Sequence, residues 1–333
     1  MKALVLEEPG NLRFHSAWAD PVGPSDWALV RIRASGICGS DLPRIMQTGA
    51  YHHPMIPGHE CAGTIVRGGR SGLPCGTPVA ILPIIPCKQC EGCKVSPFHC
   101  KAYDFIGSRR DGGFAEFCLV PSENLLTLPE GLPLDEGAFV EPLSVALHVL
   151  RQSGMTPGAR ALVLGAGTIG LLIAQWASIL GAAEVVAADI REESLDVARA
   201  CGLTKAVDSR SQEFESMGEF DVVFEAAGAN AALLAGMGKL APRGVLAVVG
   251  RDVRDTVIPV SVFETFMRRE AQLCGCWGYD LRQDREFLQK TLAGGRLKIW
   301  PMITATIPLD DGPAVISGMW NKDRFFCKIL FNP

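Results

Sequence analysis

Two rhythms of apolar residues divide the chain. Over the first part, short apolar runs at 3–6, 27–33, 62–67, 77–82 and 114–120 are separated by glycines and prolines, which predicts strands joined by turns and few helices. From Arg160 the rhythm changes to strand then helix. A strand at 160–164 leads into an apolar helix reaching 180; a strand at 184–189 leads into a helix at 192–201 closed by Gly202. Further strands follow at 221–225, 243–249 and 271–277, with helical segments between them. This alternation predicts a doubly wound parallel sheet. After Trp277 the pattern gives a helix at 284–292, a strand at 302–307, a helix at 312–320 and a strand at 325–331. These are too few to close a domain, so the tail is expected to return to the N-terminal β part. The expected fold class is α/β, with a β domain of 1–143 plus 280–333 interrupted by a nucleotide-binding domain of 144–279.

Composition narrows the function classes. The chain has 333 residues, 48% hydrophobic and 20% charged, enough for two cores and unlike a disordered or fibrous protein. The formal net charge of -4 carries no run of like charges, so no nucleic-acid surface is expected, and an anionic substrate must be met by a few local basic groups. The apolar helix at 169–180 is too short to span a bilayer and contains Gln175, so no membrane partner is expected. Met1-Lys2 runs into the strand at 3–6 without the apolar stretch and cleavage site of a signal peptide, which favours the cytoplasm. Of twelve cysteines, four crowd into Cys87, Cys90, Cys93 and Cys100, a spacing that reads as metal ligation in a reducing compartment rather than as disulfides.

The first candidate site is the turn Gly165-Ala166-Gly167-Thr168-Ile169-Gly170, which follows a strand and opens a helix. Glycines there permit a tight turn and close approach of a pyrophosphate to the helix N-terminus. Asp189 closes the next strand, where its carboxylate can accept hydrogen bonds from both ribose hydroxyls and repel a 2′-phosphate, so NAD is expected over NADP. Ile190 beside it, Gly250 at the end of the strand at 243–249, Thr168 and Ile169 complete the expected cofactor contacts. Two observations pull the other way. Asp189 could simply cap the helix beginning near Glu192, and Arg191 could greet a phosphate.

Two metal sites are expected. Cys87, Cys90, Cys93 and Cys100 can wrap four thiolates around one tetrahedral zinc; with every position filled by protein, that ion is structural. His99 is an alternative fourth ligand. The second set is dispersed: Cys38, His59 with Glu60, and Glu141 before Pro142. One Cys, one His and one carboxylate leave a fourth position open, as catalytic zinc requires. Residue types alone leave a second reading, since a lone Cys38 is commonly a buried small hydrophobe and a lone His59 a satisfied core residue.

At these residues the chain resembles the zinc-containing medium-chain dehydrogenases over its whole length. The motifs Gly58-His59-Glu60, the four-cysteine lobe and the Gly165 to Gly170 turn stand in that family's order. Within it the chain is most similar to the polyol and polyol-phosphate enzymes, on Ser35-Gly36-Ile37-Cys38-Gly39-Ser40-Asp41, on Tyr103 to Glu116 and on Gly137 to Pro142. The resemblance implies a GroES-like β catalytic domain with an inserted Rossmann domain. It also implies a catalytic zinc on Cys38, His59 and Glu141, with Glu60 an exchanging or outer carboxylate. The gap from Cys93 to Cys100 is one residue shorter than the family's usual spacing. Pro43 stands where other alcohol dehydrogenases of the family place a relay histidine.

The activity expected is hydride transfer between a secondary hydroxyl of a polyol or polyol phosphate and NAD, with two zinc ions per chain. A free polyol, a sugar acid or a hydroxy amino acid is the alternative substrate. Ser40 is expected to accept the hydroxyl proton, or else to cap the helix at Leu42. Arg109 and Arg110, with Arg44 as a third basic candidate, are expected to meet a substrate phosphate, Arg110 foremost; Phe114 and Trp277 are expected to line the substrate. Either arginine of the pair could instead hold its loop through Asp104 or Asp111. An exposed edge strand at 271–277 invites pairing with a second copy, so a homodimer or homotetramer is expected.

Overall fold

The structure is a computed structural model, and it describes residues 1–251 and 254–333. Its contacts divide it into two compact units: Met1–Glu141 with Asp284–Gly295 and Ile303–Pro333, and Pro142–Gln283 with Arg296–Met302. The expected boundaries at 143/144 and 279/280 differ from these, and the short piece Arg296–Met302 goes with the second unit. The reason for that last difference is local: Gln175 accepts a hydrogen bond from the Lys298 N–H and donates to the Lys298 carbonyl, tying the piece to the helix Thr168–Ile179.

The first unit is built on a sheet in the order Ile303–Pro308, Lys328–Asn332, Ala28–Gly36, Glu60–Arg67, Pro78–Ile81, Leu125–Thr127, with Phe117–Val120 also paired to Ala28–Gly36. Period-two patterning explains the central strand. Ala28, Val30 and Ile32 turn inward to a core with Ile65, Val79 and Val120, while the alternate residues Arg31 and Arg33 stay exposed. The C-terminal strand Lys328–Asn332 pairs antiparallel with Ala28–Gly36 and parallel with Ile303–Pro308, so the tail completes the N-terminal sheet. A hairpin of Ala3–Glu8 with Asn11–His15 supplies Leu4 and Leu6 to a second core containing Phe114, Ile316 and Phe331.

The second unit carries six parallel strands in the order Lys205–Asp208, Glu184–Asp189, Arg160–Leu164, Phe220–Glu225, Leu240–Val248, Gln272–Gly275. Buried Leu162, Val186, Val223 and Leu246 fill the core beneath it. This is the expected doubly wound fold, inserted in sequence between the parts of a β unit.

Candidate active site and metal centres

The first site begins where the strand Ala28–Gly36 ends. Beyond it Asp41 N–H donates to the Cys38 carbonyl and Cys38 N–H donates to Asp41 Oδ2, each at 3.0 Å, a closed turn that fixes the Cys38 thiol. On the neighbouring strand Glu60 pairs with Gly36, which places His59 and Glu60 beside that turn. The ligand atoms of Cys38, His59 and Glu60 lie within 4.8 Å of one another. The carboxylate of Glu141 is not in that set; it stands buried in the first turn of the helix Val140–Ser153.

Charge pairing inside this cluster is selective. His59 Nδ1 lies 3.2 Å from Asp41 Oδ1 without the angle of a hydrogen bond, and Arg44 Nη1 lies 3.4 Å from the same oxygen. Burial opposes charge on both partners, yet each holds the other: Asp41 falls below its usual range because of His59 and Arg44, and His59 rises well above its own because of Asp41 and Cys38. Glu60 is ion-paired with Lys328, whose Nζ also donates to the Ile37 carbonyl at 3.0 Å. Asp41 is thus matched by Arg44, and Glu60 by Lys328. Burial pushes Glu141 up to about 7, with His59 and Lys328 pulling it down and Glu60 adding to the rise. Cys38, His59 and Glu60 therefore form the donor set that the fold brings together, with buried Glu141 as a further carboxylate beside them. A zinc ion fits such a set.

Ser40 Oγ donates to Cys38 Sγ at 3.3 Å and makes no cap hydrogen bond to the helix Asp41–Pro43, so its hydroxyl faces the thiol. Sequence reasoning missed Asp41, Lys328 and Phe105, whose ring lies edge-on to His59 with centroids 5.6 Å apart.

The four lobe thiols are also brought together, within 4.8 Å of one another. Tetrahedral zinc with Zn–S bonds of about 2.3 Å sets its sulfurs about 3.8 Å apart. Cys87 Sγ to Cys93 Sγ is 3.8 Å and Cys90 Sγ to Cys93 Sγ is 3.6 Å, far longer than a disulfide and right for a shared ion. Backbone N–H groups point at the sulfurs: Cys87 N donates to Cys100 Sγ and Lys101 N to Cys90 Sγ. The N–H groups of Lys101 and Cys93 draw the Cys90 thiol down to about 6. His99 Nδ1 is instead 3.0 Å from Ser96 Oγ, and Cys100 stands with the other three thiols despite the shorter gap.

In the second unit the glycine turn lies between Arg160–Leu164 and Thr168–Ile179. Gly165 has φ +99°, and a Cβ on Gly170 would stand 1.8 Å from the Gly165 carbonyl oxygen, whereas one on Gly167 would meet nothing. The open side at Gly167 is where a pyrophosphate can approach the backbone. Asp189 Oδ2 accepts from Ala166 N–H at 2.8 Å and Oδ1 from Arg191 N–H at 2.9 Å, which ties the strand end to the turn and leaves lone pairs for ribose hydroxyls. The Arg191 guanidinium is 3.8 Å from Asp189. Thr168 and Ile169 open the helix behind the turn, and Ile190 is exposed beside Asp189. Gly250 packs against Gly228 and Glu225. Buried Glu225, a residue sequence reasoning missed, accepts from Ala227 and Gly228 N–H groups and shapes that loop.

The substrate candidates are scattered in character. Phe114 is fully buried in the core against Phe331, so it is corrected from a substrate contact to a packing residue. Arg110 is corrected as well: Nε and Nη2 both hold Asp104, at 2.8 and 2.7 Å, and the guanidinium covers Trp27. Trp277 is more than half exposed, with Arg251 over its ring.

Comparison with known proteins agrees with this geometry. The family described as "Alcohol dehydrogenase GroES-like domain" matches residues 24–130, and "Zinc-binding dehydrogenase" matches residues 168–293. Galactitol 1-phosphate 5-dehydrogenase of Escherichia coli K12 is 34% identical over 317 residues, covering 91% of this chain and 92% of that protein. The structure of L-idonate 5-dehydrogenase from Escherichia coli superposes with TM-score 0.89 at 27% identity, covering 100% of this chain and 98% of that one. A zinc-binding dehydrogenase of Sinorhizobium meliloti 1021, solved bound to NADP, gives TM-score 0.90 at 29% identity and covers 100% and 99%. The chain belongs to the zinc-containing medium-chain dehydrogenases. It is an oxidoreductase acting on the CH–OH group of a small alcohol or polyol, with zinc and a nicotinamide cofactor.

Proposed function

We propose that this enzyme oxidises a secondary hydroxyl of a polyol phosphate with NAD, using one catalytic and one structural zinc per chain. The observation that carries the reading is the cluster of Cys38, His59 and Glu60, whose ligand atoms lie within 4.8 Å of one another with buried Glu141 beside them. When bound, the catalytic ion supplies Lewis acidity, which lowers the pKa of a hydroxyl toward neutrality, and the nicotinamide supplies a hydride acceptor.

The protein's own residues prepare that chemistry. Asp41 faces His59 Nδ1 and so leaves the other ring nitrogen for the ion; it is a positioning residue. Lys328 pairs with Glu60, and Glu60 or Glu141 would complete the ligand set with Cys38 and His59. Ser40 Oγ, beside the Cys38 thiol, accepts the substrate proton and hands it to water, since Pro43 offers no relay. Asp189 selects NAD through the ribose hydroxyls, with Arg191 held back against the same carboxylate. A phosphorylated substrate is supported by the galactitol 1-phosphate relative. An oxidised sugar acid is the second reading, favoured by the likeness to L-idonate 5-dehydrogenase.

The cytoplasm is the proposed compartment, on the strength of the free thiols; among the described residues no helix is long and apolar enough to cross a membrane. A homodimer through the edge strand Gln272–Gly275, where Leu273 is exposed, is proposed as the working unit, and a sedimentation experiment returning only monomer contradicts it. The deciding experiment for activity is a rate comparison with NAD and NADP on a free hexitol, its 1-phosphate and a hexonate. Fastest turnover on the phosphate with NAD is expected. Equal efficiency on the free hexitol, or a preference for NADP, overturns the corresponding half of the proposal.

A further inference from the structure

We propose that Arg109 is the residue that grips an anionic group at the far end of the polyol, and so determines substrate specificity; this rests on the dehydrogenase reading above. Three arginines are candidates for meeting a substrate anion, and two are spoken for. Arg44 faces Asp41, and Arg110 is locked on Asp104 through two nitrogens. Arg109 makes no ion pair among the described residues. Its guanidinium lies between the rings of Tyr51 and Tyr103, 4.0 and 4.3 Å from their centroids, and its buried Nε finds no hydrogen-bond partner.

Aromatic faces on both sides fix the plane of a guanidinium but cannot satisfy its N–H donors, which point outward along the edges. Tyr51 and Tyr103 meet part of the guanidinium fork, but Nε stays buried without a partner and no carboxylate among the described residues faces it, an arrangement that suits a phosphate or carboxylate. Buried N–H groups left unsatisfied are costly, and an anion on that edge removes the cost.

The loop that carries Arg109 is fixed to the metal-site strand. Arg109 N–H donates to the Phe105 carbonyl at 2.9 Å, and Phe105 is the ring set edge-on to His59. Gly107 sits so close to Gly58 that a Cβ there would be 2.4 Å from the Gly58 carbonyl oxygen, so the loop is clamped to the residue preceding His59. Tyr51 N–H and the His52 ring bind the Ser108 and Arg109 carbonyls at 3.4 and 3.2 Å. The fork is therefore held at a set place relative to His59, as a second point of attachment for a substrate whose reacting carbon is at the metal.

Phosphate and carboxylate share this chemistry, and the test separates them. Wild type, Arg109→Gln, Arg109→Lys and Arg110→Gln are compared on a hexitol 1-phosphate, a hexonate and the free hexitol. Arg109→Gln is expected to lose about ten- to a hundredfold in kcat/KM on whichever anionic substrate the wild type prefers, through KM, while keeping its rate on the free hexitol. Arg109→Lys recovers part of the loss, and Arg110→Gln leaves the preference intact. The retained free-hexitol rate also reports folding; if Arg109→Gln does not fold, Arg109→Lys carries the test, with a smaller loss confined to the anionic substrate. Inorganic phosphate is expected to compete with the anionic substrate. Equal losses on charged and free substrates, or an unchanged preference, overturn the role of Arg109 while leaving the polyol-phosphate reading standing. Non-competitive inhibition by phosphate also overturns it, because an anion held by Arg109 in the cavity of about 370 Å³ that it lines with Trp27, His52 and Asp111 would then not be the substrate's own group. A wild type indifferent to charge overturns both, and a wild type preferring the hexonate overturns only the phosphate.

Discussion

At the residue scale, the metal-site cluster separates residues that bind from residues that balance. Lys328 is the clearest balancing group: it is buried with Glu60, and the two stand 268 positions apart in sequence. Lys328→Met removes one partner of a buried ion pair and strands the other, which costs about 3–5 kcal/mol. Denaturant unfolding should register that loss, and a change below about 1 kcal/mol would mean that Glu60 finds its charge satisfied without Lys328. No sequence pattern could have announced this pair, because the tail strand alone brings it together. Asp41 was nearer to view, three residues after Cys38, yet its partner His59 arrives from a different strand. Cys38, His59, Glu60 and the glycine turn were legible because their chemistry is carried by local motifs. Arg110 was misjudged because sequence displays its charge but not Asp104 folded against it.

At the element scale, strands with strong inward alternation were readable, as in Ala28–Gly36 and Glu60–Arg67. Short strands such as Asn11–His15 and Lys205–Asp208 were not, since a few residues of mixed polarity carry no period and are fixed by their neighbours. The four-cysteine lobe is the opposite case. It holds only a five-residue helix, Glu91–Val95, and a 3-10 turn, Pro97–His99, with none of their residues buried, so on the two-zinc proposal a bound ion is expected to order it. Cys90→Ser should therefore lower the zinc content by one ion per chain and make the lobe the first region cut in limited proteolysis. An unchanged cleavage pattern would show that the lobe holds its shape without the thiolate.

At the scale of the molecule, the division of labour was foreseeable from the change of rhythm at Arg160, because parallel sheets and antiparallel sheets leave different periods in the chain. The return of the last strand to the first sheet was foreseeable too, by the shortage of elements after Trp277. What could not be read was the return of Arg296–Met302 to the second unit, where Gln175 and Cys201 bind Lys298 and Arg296 binds the Ile179 carbonyl. The metal-site cluster lies in the first unit and the glycine turn in the second. The central claim is that turnover depends on an ion held by His59 while the lobe's ion serves the fold. Zinc content and NAD-linked turnover of His59→Ala, measured on one folded preparation beside wild type, test it most directly. Wild type should carry two zinc ions per chain, and His59→Ala should carry one, bind NAD and show no turnover. Wild-type turnover by His59→Ala, or a single zinc in fully active wild type, would contradict it.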